Sequence, residues 1–302
     1  TVRSILKTTR REGHRRRLLP APMMVYYIIA LGLFVGVGCR EVLRRLLDGA
    51  VWIWPDRIKI ATDSAITQAR QRLGCEPIET LYQEHVGPIA KKTTRGAWFR
   101  SWRVVSMDGF VMDVAESDAN EKAFGRPGST RGHSAYPQVR VVGFLENGTH
   151  VFFGAEMDRY GVGETTLARR ILGKLRRNML CLADRNFFCF PLWKEALATK
   201  AKLVWRAKHQ LVLPKTKKLA DGSYLGKLYE SPKHRREDRE GIVVRIVDYR
   251  IDGFRENYRL VTNILDPAMA PALELARLYS ERWTIETAVD ELKTHLRGSN
   301  VV

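Results

Sequence analysis

Met179-Leu-Cys-Leu-Ala-Asp-Arg-Asn-Phe-Phe188 decides how the rest of the chain is read. A short, continuous apolar run ends abruptly at Asp184, the pattern of a strand covered on both faces. Before it, GETTLARRILGKLRRNM (163–179) carries apolar positions at helical spacing. After it come a second helical stretch, PLWKEALATK (191–200), and another strand, AKLVWRAK (201–208). Alternation of this kind predicts an α/β domain with helices flanking a sheet.

Composition agrees with a globular chain large enough for one main domain and a smaller one. Of 302 residues, 45% are hydrophobic and 28% charged, which excludes a disordered polymer. The formal net charge of +18 calls for a polyanionic partner, nucleic acid first and an anionic membrane second. Cys39, Cys75, Cys181 and Cys189 form no CxxC pair and no zinc-like spacing, so free thiols in a reducing cytoplasm are expected. The first residue is Thr1, and the chain stops soon after the last helix, which reads as trimming at both ends.

Outward towards the N-terminus, residues 1–19 read as a basic flexible arm, suited to lying on phosphates or simply solvated. The uncharged run PAPMMVYYIIALGLFVGVG (20–38) approaches bilayer-spanning length, but its prolines and glycines break it. A buried helix in a small all-α domain, 20–95, is the favoured reading, with a membrane segment as the alternative. Within that domain Asp63 or Ser64 is expected to cap ITQARQRLG, with Gly74 ending it. Gln68, Arg70, Gln71 and Arg72 suit a helix laid on DNA, but two Arg and two Gln are ordinary on a surface helix, which is the favoured reading. Lys91–Arg95 reads as the linker.

Strand patterns begin at Trp98. SWRVVSMDGFVMDV carries Asp108 and Asp113 and is interrupted at Asp108-Gly109, while Asn147-Gly148 marks a hairpin. Residues 96–208 form the first part of the core, 209–262 a β-rich insertion, and 263–302 the final helical segment. No P-loop, Rossmann fingerprint, nucleophile elbow or HExxH motif occurs.

Asp108 and Asp184 both end apolar strands in this reading, and function in an open sheet gathers at strand carboxyl ends. A third acid comes from YSERWTIETAVDELK (279–293), read as one helix. At about 100° per residue from Tyr279, Arg282 falls near about 300°, Glu286 near about 340° and Lys293 near about 320°, one face. Asp290, near about 20°, is a rival to Glu286, and a plain Arg282–Glu286 ion pair is the bland explanation. Three converging carboxylates need divalent cations, and two Mg²⁺ ions, with Mn²⁺ as a substitute, would serve phosphodiester cleavage and transfer. Asp113, Asp118, Glu156 and Asp158 compete with Asp108, so the residues alone leave the set open.

The spacing of Tyr279, Arg282, Glu286 and Lys293, together with SMDGFVMDV, AFGRPGSTRGHSAYPQVRVVGF and LADRNFF, resembles DDE transposases of bacterial insertion-sequence family four. The N-terminal block resembles that family's helical region as well. The resemblance implies an RNase H-like catalytic core with a β-rich insertion before the last catalytic helix. It implies Asp108, Asp184 and Glu286 as catalytic metal ligands, and Tyr279, Arg282 and Lys293 as contacts to transposon-end DNA. Arg206 and Lys208 are added as candidate DNA contacts. The expected partners are double-stranded DNA, as element ends and target, and a second copy of the chain in a synaptic homodimer. No membrane partner is expected, and the location is the bacterial cytoplasm, at the nucleoid. Hairpin-forming relatives use an insertion aromatic to hold a flipped base; residues 209–262 contain no Trp, which leaves Phe254 or Tyr258. Family members continue into C-terminal dimer helices beyond the counterpart of Lys293. A non-catalytic DNA-binding descendant of a transposase is the rival function.

Overall fold

The computed structural model describes residues 1–13, 15, 17–34, 36–50, 60–129, 132, 133, 136–251 and 257–296. Contacts divide the chain into two compact units, Thr1–Val86 with the residues from Asp290 on, and Gly87–Val289.

The first unit is helical. It comprises α1 (Val2–Thr8), α2 (Ala21–Leu33), α3 (Cys39–Gly49), α4 (Asp63–Leu73) and α5 (Glu76–His85). Their apolar stripes meet at Leu6, Met23, Met24, Tyr27, Val42, Leu43, Ile66 and Leu73, all essentially removed from water. Two expectations change here. Part of the supposed flexible arm is α1, held because Ile5 and Leu6 are buried. The cap of α4 is Thr62, whose hydroxyl accepts from the Ala65 amide at 3.3 Å, rather than Asp63 or Ser64. Gly74 ends α4 as expected, at φ +71°. The apolar run becomes a thirteen-residue helix with Pro22 in its first turn, where the missing amide hydrogen costs nothing. Tyr27 is buried in it and donates to the Cys39 carbonyl at 3.0 Å. Among the described residues no helix is long and apolar enough to cross a membrane.

The second unit is mixed α/β. In chain order it contains β1 (Trp98–Phe99), β2 (Trp102–Asp113), α6 (Asp118–Phe124), β3 (Gly128–Ser129), β4 (Gly132–His133), β5 (Gln138–Glu146), β6 (Val151–Arg159) and α7 (Glu164–Ile171). Then follow β7 (Met179–Ala183), α8 (Phe190–Ala198), β8 (Lys202–Arg206), β9 (Lys215–Lys218), β10 (Tyr224–Leu228), α9 (Pro232–Arg236), β11 (Ile242–Arg250), β12 (Asn257–Thr262), α10 (Ala272–Ser280) and α11 (Trp283–Asp290). One large sheet runs β6-β5-β2-β7-β8-β12-β11-β10-β9, with β1 on β2. The β2–β7 and β7–β8 ladders are parallel and the other ladders of that path antiparallel.

Alternation along the strands assigns the faces. Val105, Met107, Cys181, Ala183, Leu203 and Trp205 join a core with α7 and α8, whereas Val104, Leu180, Leu182 and Val204 join one with α10. Trp193 of α8 meets Trp205 edge-on at 5.3 Å in the first core. Truncating either buried ring would cost about 3–5 kcal/mol.

The hairpin at Asn147-Gly148 forms between β5 and β6. Gly148 is required twice: its φ is +82°, and a Cβ would sit 2.8 Å from the Ala97 amide nitrogen. The segment before Trp98 also packs on the second unit, with Ile89 and Ala90 donating to the buried Glu146 carboxylate at 2.9 Å. Strands β9 to β12 continue the core sheet, since Leu260–Thr262 pair with Arg206–Val204.

Two readings are corrected. Asp108-Gly109 does not interrupt the strand, because β2 runs through it paired to β5. Gly109 serves close approach instead, for a Cβ there would lie 2.9 Å from the Glu164 side chain. The final helix is not continuous either. Residues 281–282 form a turn between α10 and α11, and Glu291–Leu296 winds as a π-helix. The 100° advance that put Lys293 in phase with Glu286 therefore does not hold through the segment.

Candidate active site

The parallel β2–β7 ladder ends with Met107 opposite Ala183, and the next residue on each chain is an aspartate. By strand alternation Asp108 follows Val104 and Ser106 onto the α10 face, and Asp184 follows Leu180 and Leu182. The backbone turns away after Asp184, where the Phe187 amide donates to its carbonyl at 3.1 Å. Glu286 comes from α11, whose Ile285 and Ala288 pack on Leu145 of β5. Sheet register and helix packing thus direct three acids from distant parts of the sequence towards one place.

A guanidinium joins two of them. Arg282 Nη1 donates to Asp108 Oδ2 at 3.1 Å and Nη2 to Glu286 Oε1 at 2.8 Å. The Arg282 side chain is 8% exposed, and its Nε is buried without a hydrogen-bond partner. Burial pushes the Asp108 carboxyl up to about 6; the Gly109 amide and Arg282 pull it down, and the Glu286 and Asp184 charges push it further up. Asp290 accepts from the Thr294 hydroxyl at 3.1 Å. Of the competing acids, Asp158 pairs with Arg170 at 2.8 Å and Asp113 accepts from Gln138 at 2.7 Å.

The donor chemistry suits a hard divalent cation: carboxylate oxygens whose mutual repulsion is felt at Asp108 and is offset here by a guanidinium. As arranged, no group of three or more His, Cys, Asp or Glu side chains among the described residues is gathered closely enough to hold an ion.

The other candidates fall in three places. Tyr279 is buried, and its hydroxyl donates to the Ala183 carbonyl at 3.3 Å, so it braces the residue before Asp184. Burial raises its phenol above the ordinary value. Arg206 and Lys208 line a cavity of about 550 Å³ with Arg185, Asn186, His209, Gln210 and Asn257. Lys293 lies in the π-helical segment that groups with the first unit. Phe254 lies outside the described residues. Tyr258 stacks on Tyr249 at 5.3 Å and carries the Arg206 guanidinium 4.3 Å from its ring centre.

Two residues escaped the reading of the sequence. Asn147, a turn former by its sequence, is 1% exposed, accepts from Ser106 at 2.9 Å and donates to the Glu281 carbonyl at 3.0 Å. It therefore ties β2, two residues before Asp108, to the turn that carries Arg282. The hairpin dipeptide masked this role, because nothing local shows which side of a turn is buried. Trp283 is 62% exposed with its ring 5.5 Å from the Arg282 guanidinium, an aromatic face open to solvent beside the site. Its place after Arg282 was the available signal.

The first unit has a basic surface of its own. A cavity of about 560 Å³ is lined by Arg10, Arg11, Arg15, Arg17 and Arg72 above Leu19, Met24 and Leu73. The Arg11 side chain is fixed there by Glu76 at 2.9 Å.

Two family models match the chain, one described as Insertion element 4 transposase N-terminal over residues 1–83 and one as Transposase DDE domain over residues 101–301. The chain is similar to Transposase InsG for insertion sequence element IS4 of Escherichia coli (strain K12), at 25% identity over 297 residues, 95% of this chain and 64% of that protein. It is also similar to Putative transposase InsZ of the same strain, at 27% identity over 179 residues, 58% of this chain and 56% of that protein. The chain thus spans less than two thirds of the length of either relative.

Proposed function

The chain belongs to the transposase DDE-domain family, and from that premise we propose that it is an insertion-sequence transposase that cleaves and joins DNA at element ends. One observation carries the proposal: Asp108 and Asp184 each follow the last pair of the β2–β7 ladder, and Arg282 binds both Asp108 and Glu286. In this reading the sheet β6-β5-β2-β7-β8 is an RNase H-like core, β9 to β12 the insertion that widens it, and α10–α11 the last catalytic segment.

Asp108, Asp184 and Glu286 are the residues that would hold divalent cations, Mg²⁺ or Mn²⁺. When bound, such ions supply an activated attacking oxygen and charge stabilisation for the leaving one. The protein's own groups do the rest. Tyr279 braces the backbone before Asp184, and Asn147 fixes the distance between β2 and the Arg282 turn. Arg282, Arg206 and Lys208 supply positive charge for the phosphate backbone, with Lys293 as a further contact. Trp283 offers a stacking face to a base at the DNA end. The net charge of +18 draws duplex DNA to the surface, with binding that weakens steeply as salt rises. Double-stranded element ends and target DNA are the substrates, a synaptic homodimer the working assembly, and the bacterial nucleoid the place of action.

Incubating the protein with duplexes bearing the element's terminal inverted repeats and Mg²⁺ or Mn²⁺ tests the proposal. Metal-dependent strand cleavage is expected at the element boundary, lost in each of Asp108→Ala, Asp184→Ala and Glu286→Ala. Cleavage that survives any of these changes overturns the assignment.

A further inference from the structure

Arg282 occupies a position that a DNA-binding side chain has no need to occupy. Its two terminal nitrogens are spent on two different carboxylates, Asp108 at 3.1 Å and Glu286 at 2.8 Å. The oxygens it engages are the ones a hard cation would need, and a guanidinium and a divalent ion cannot share them without repulsion. The attachment is incomplete at the same time. Nε is buried with no partner, so the guanidinium leaves one donor unused where it sits. The Tyr279 and Trp283 rings lie 5.9 and 5.5 Å from its carbon, and Trp283 is the open side.

We propose that Arg282 is the internal counter-cation of the acidic site in the DNA-free protein, and that moving its guanidinium onto a DNA phosphate frees Asp108 and Glu286 for a divalent cation. The inference rests on the functional reading above. It adds that metal and DNA binding are coupled through one side chain. A phosphate offers Arg282 a bidentate, charge-assisted partner to replace the two carboxylates, so the exchange leaves no charge stranded. Cations then load where DNA is present, which keeps a nuclease site idle without substrate. Coupling of this kind is reciprocal: DNA tightens metal binding by the same factor by which metal tightens DNA binding.

Mn²⁺ titrations read by the paramagnetic resonance of the free ion test this without any activity assay. They compare the wild-type chain with Arg282→Gln, each alone and with a short blunt duplex at low salt. Without DNA, Arg282→Gln is expected to bind Mn²⁺ about 10- to 100-fold more tightly than wild type, the factor set by losing a competing charged hydrogen bond. The duplex should then tighten Mn²⁺ binding far more in wild type than in the variant. An Arg282→Gln protein that binds Mn²⁺ no more tightly than wild type overturns the proposal. Arg282→Lys, which keeps a cation but cannot bridge both carboxylates, is expected to fall between the two and serves where Gln unfolds the chain. Adding Asp108→Asn to Arg282→Gln should abolish the gained affinity. Mn²⁺ binding that persists there overturns the assignment of the acids themselves, and the functional reading with it.

Discussion

Among the described residues of the second unit, two arginines are buried against carboxylates, and they are built differently. Arg245 on β11 is fully removed from water, and each of its nitrogens has a partner: Ser223 Oγ at 2.8 Å, the Ala270 carbonyl at 2.7 Å and the Asp221 carboxylate. Asp221 in turn accepts from the Ala272 amide at 2.8 Å, the start of α10. Arg282 keeps an unused Nε and faces Glu286, whose side chain is 40% exposed. A closed network holds a loop in place, while an open one can exchange partners. The first anchors the helix and the second, at that helix's far end, is where function is expected.

The sharpest way to break this contrast is to remove an acid from each cluster. Asp184→Asn or Glu286→Gln should lower metal-dependent strand cleavage by orders of magnitude while circular dichroism and thermal unfolding stay close to wild type. Asp221→Asn should instead lower the melting temperature. A cleavage-dead Glu286→Gln that is also unfolded would erase the distinction.

Removing the arginines separates the clusters by stability. Arg245→Met is expected to cost about 3–5 kcal/mol in urea unfolding, since the buried Ala270 carbonyl and Ser223 hydroxyl lose their donor and Asp221 loses its counter-charge. Arg282→Met should cost less, about 1–2 kcal/mol, because Asp108 keeps the Gly109 amide as a donor and water can reach Glu286. Equal losses would contradict the comparison.

Acidity gives a third, smaller effect. Burial pushes the Asp108 carboxyl up to about 6, above the unfolded value near about 4. The folded state therefore holds its proton more tightly than the unfolded chain, and ionising it costs stability as pH rises through that interval. Asp108→Asn should match wild type below about pH 4 and be more stable above about pH 6, by about 1–3 kcal/mol. Urea midpoints across that range check the sign. In metal-free buffer, a variant less stable than wild type at pH 8 would contradict the assignment of burial as the cause.

Asn147→Ala is expected to show a loss of about 1–2 kcal/mol, from the unpaired Ser106 hydroxyl and the lost side-chain donor to the Glu281 carbonyl. Cleavage should fall further than that loss explains, because the turn carrying Arg282 loses its tether to β2.

Patterns that depend on neighbours in the chain were readable in advance, and those that depend on depth were not. The β7 run, its flanking helices and the Asn147-Gly148 hairpin follow from periodicity and turn chemistry. Asp108-Gly109 misled because a glycine that admits the Glu164 side chain looks the same in sequence as one that makes a turn. The last helix was read as continuous since Tyr279 to Lys293 are good helix formers; the turn at 281–282 is held by Asn147, more than a hundred residues away in the chain. Tyr279, which the resemblance assigns to DNA, has its hydroxyl on the Ala183 carbonyl, a contact that only the fold brings about. Charge patterning identified Arg282 and Glu286 as a pair, but only the folded sheet adds Asp108 to it.

The central claim, that these three acids form one metal site, is tested most directly by replacing the cation with Fe²⁺ and mapping peroxide-driven backbone cuts. The account predicts cuts near Asp108, Asp184 and Glu286 together, stronger with duplex DNA present and lost in Asp108→Asn. Cuts confined to other parts of the chain, or unchanged by Asp108→Asn, would contradict it.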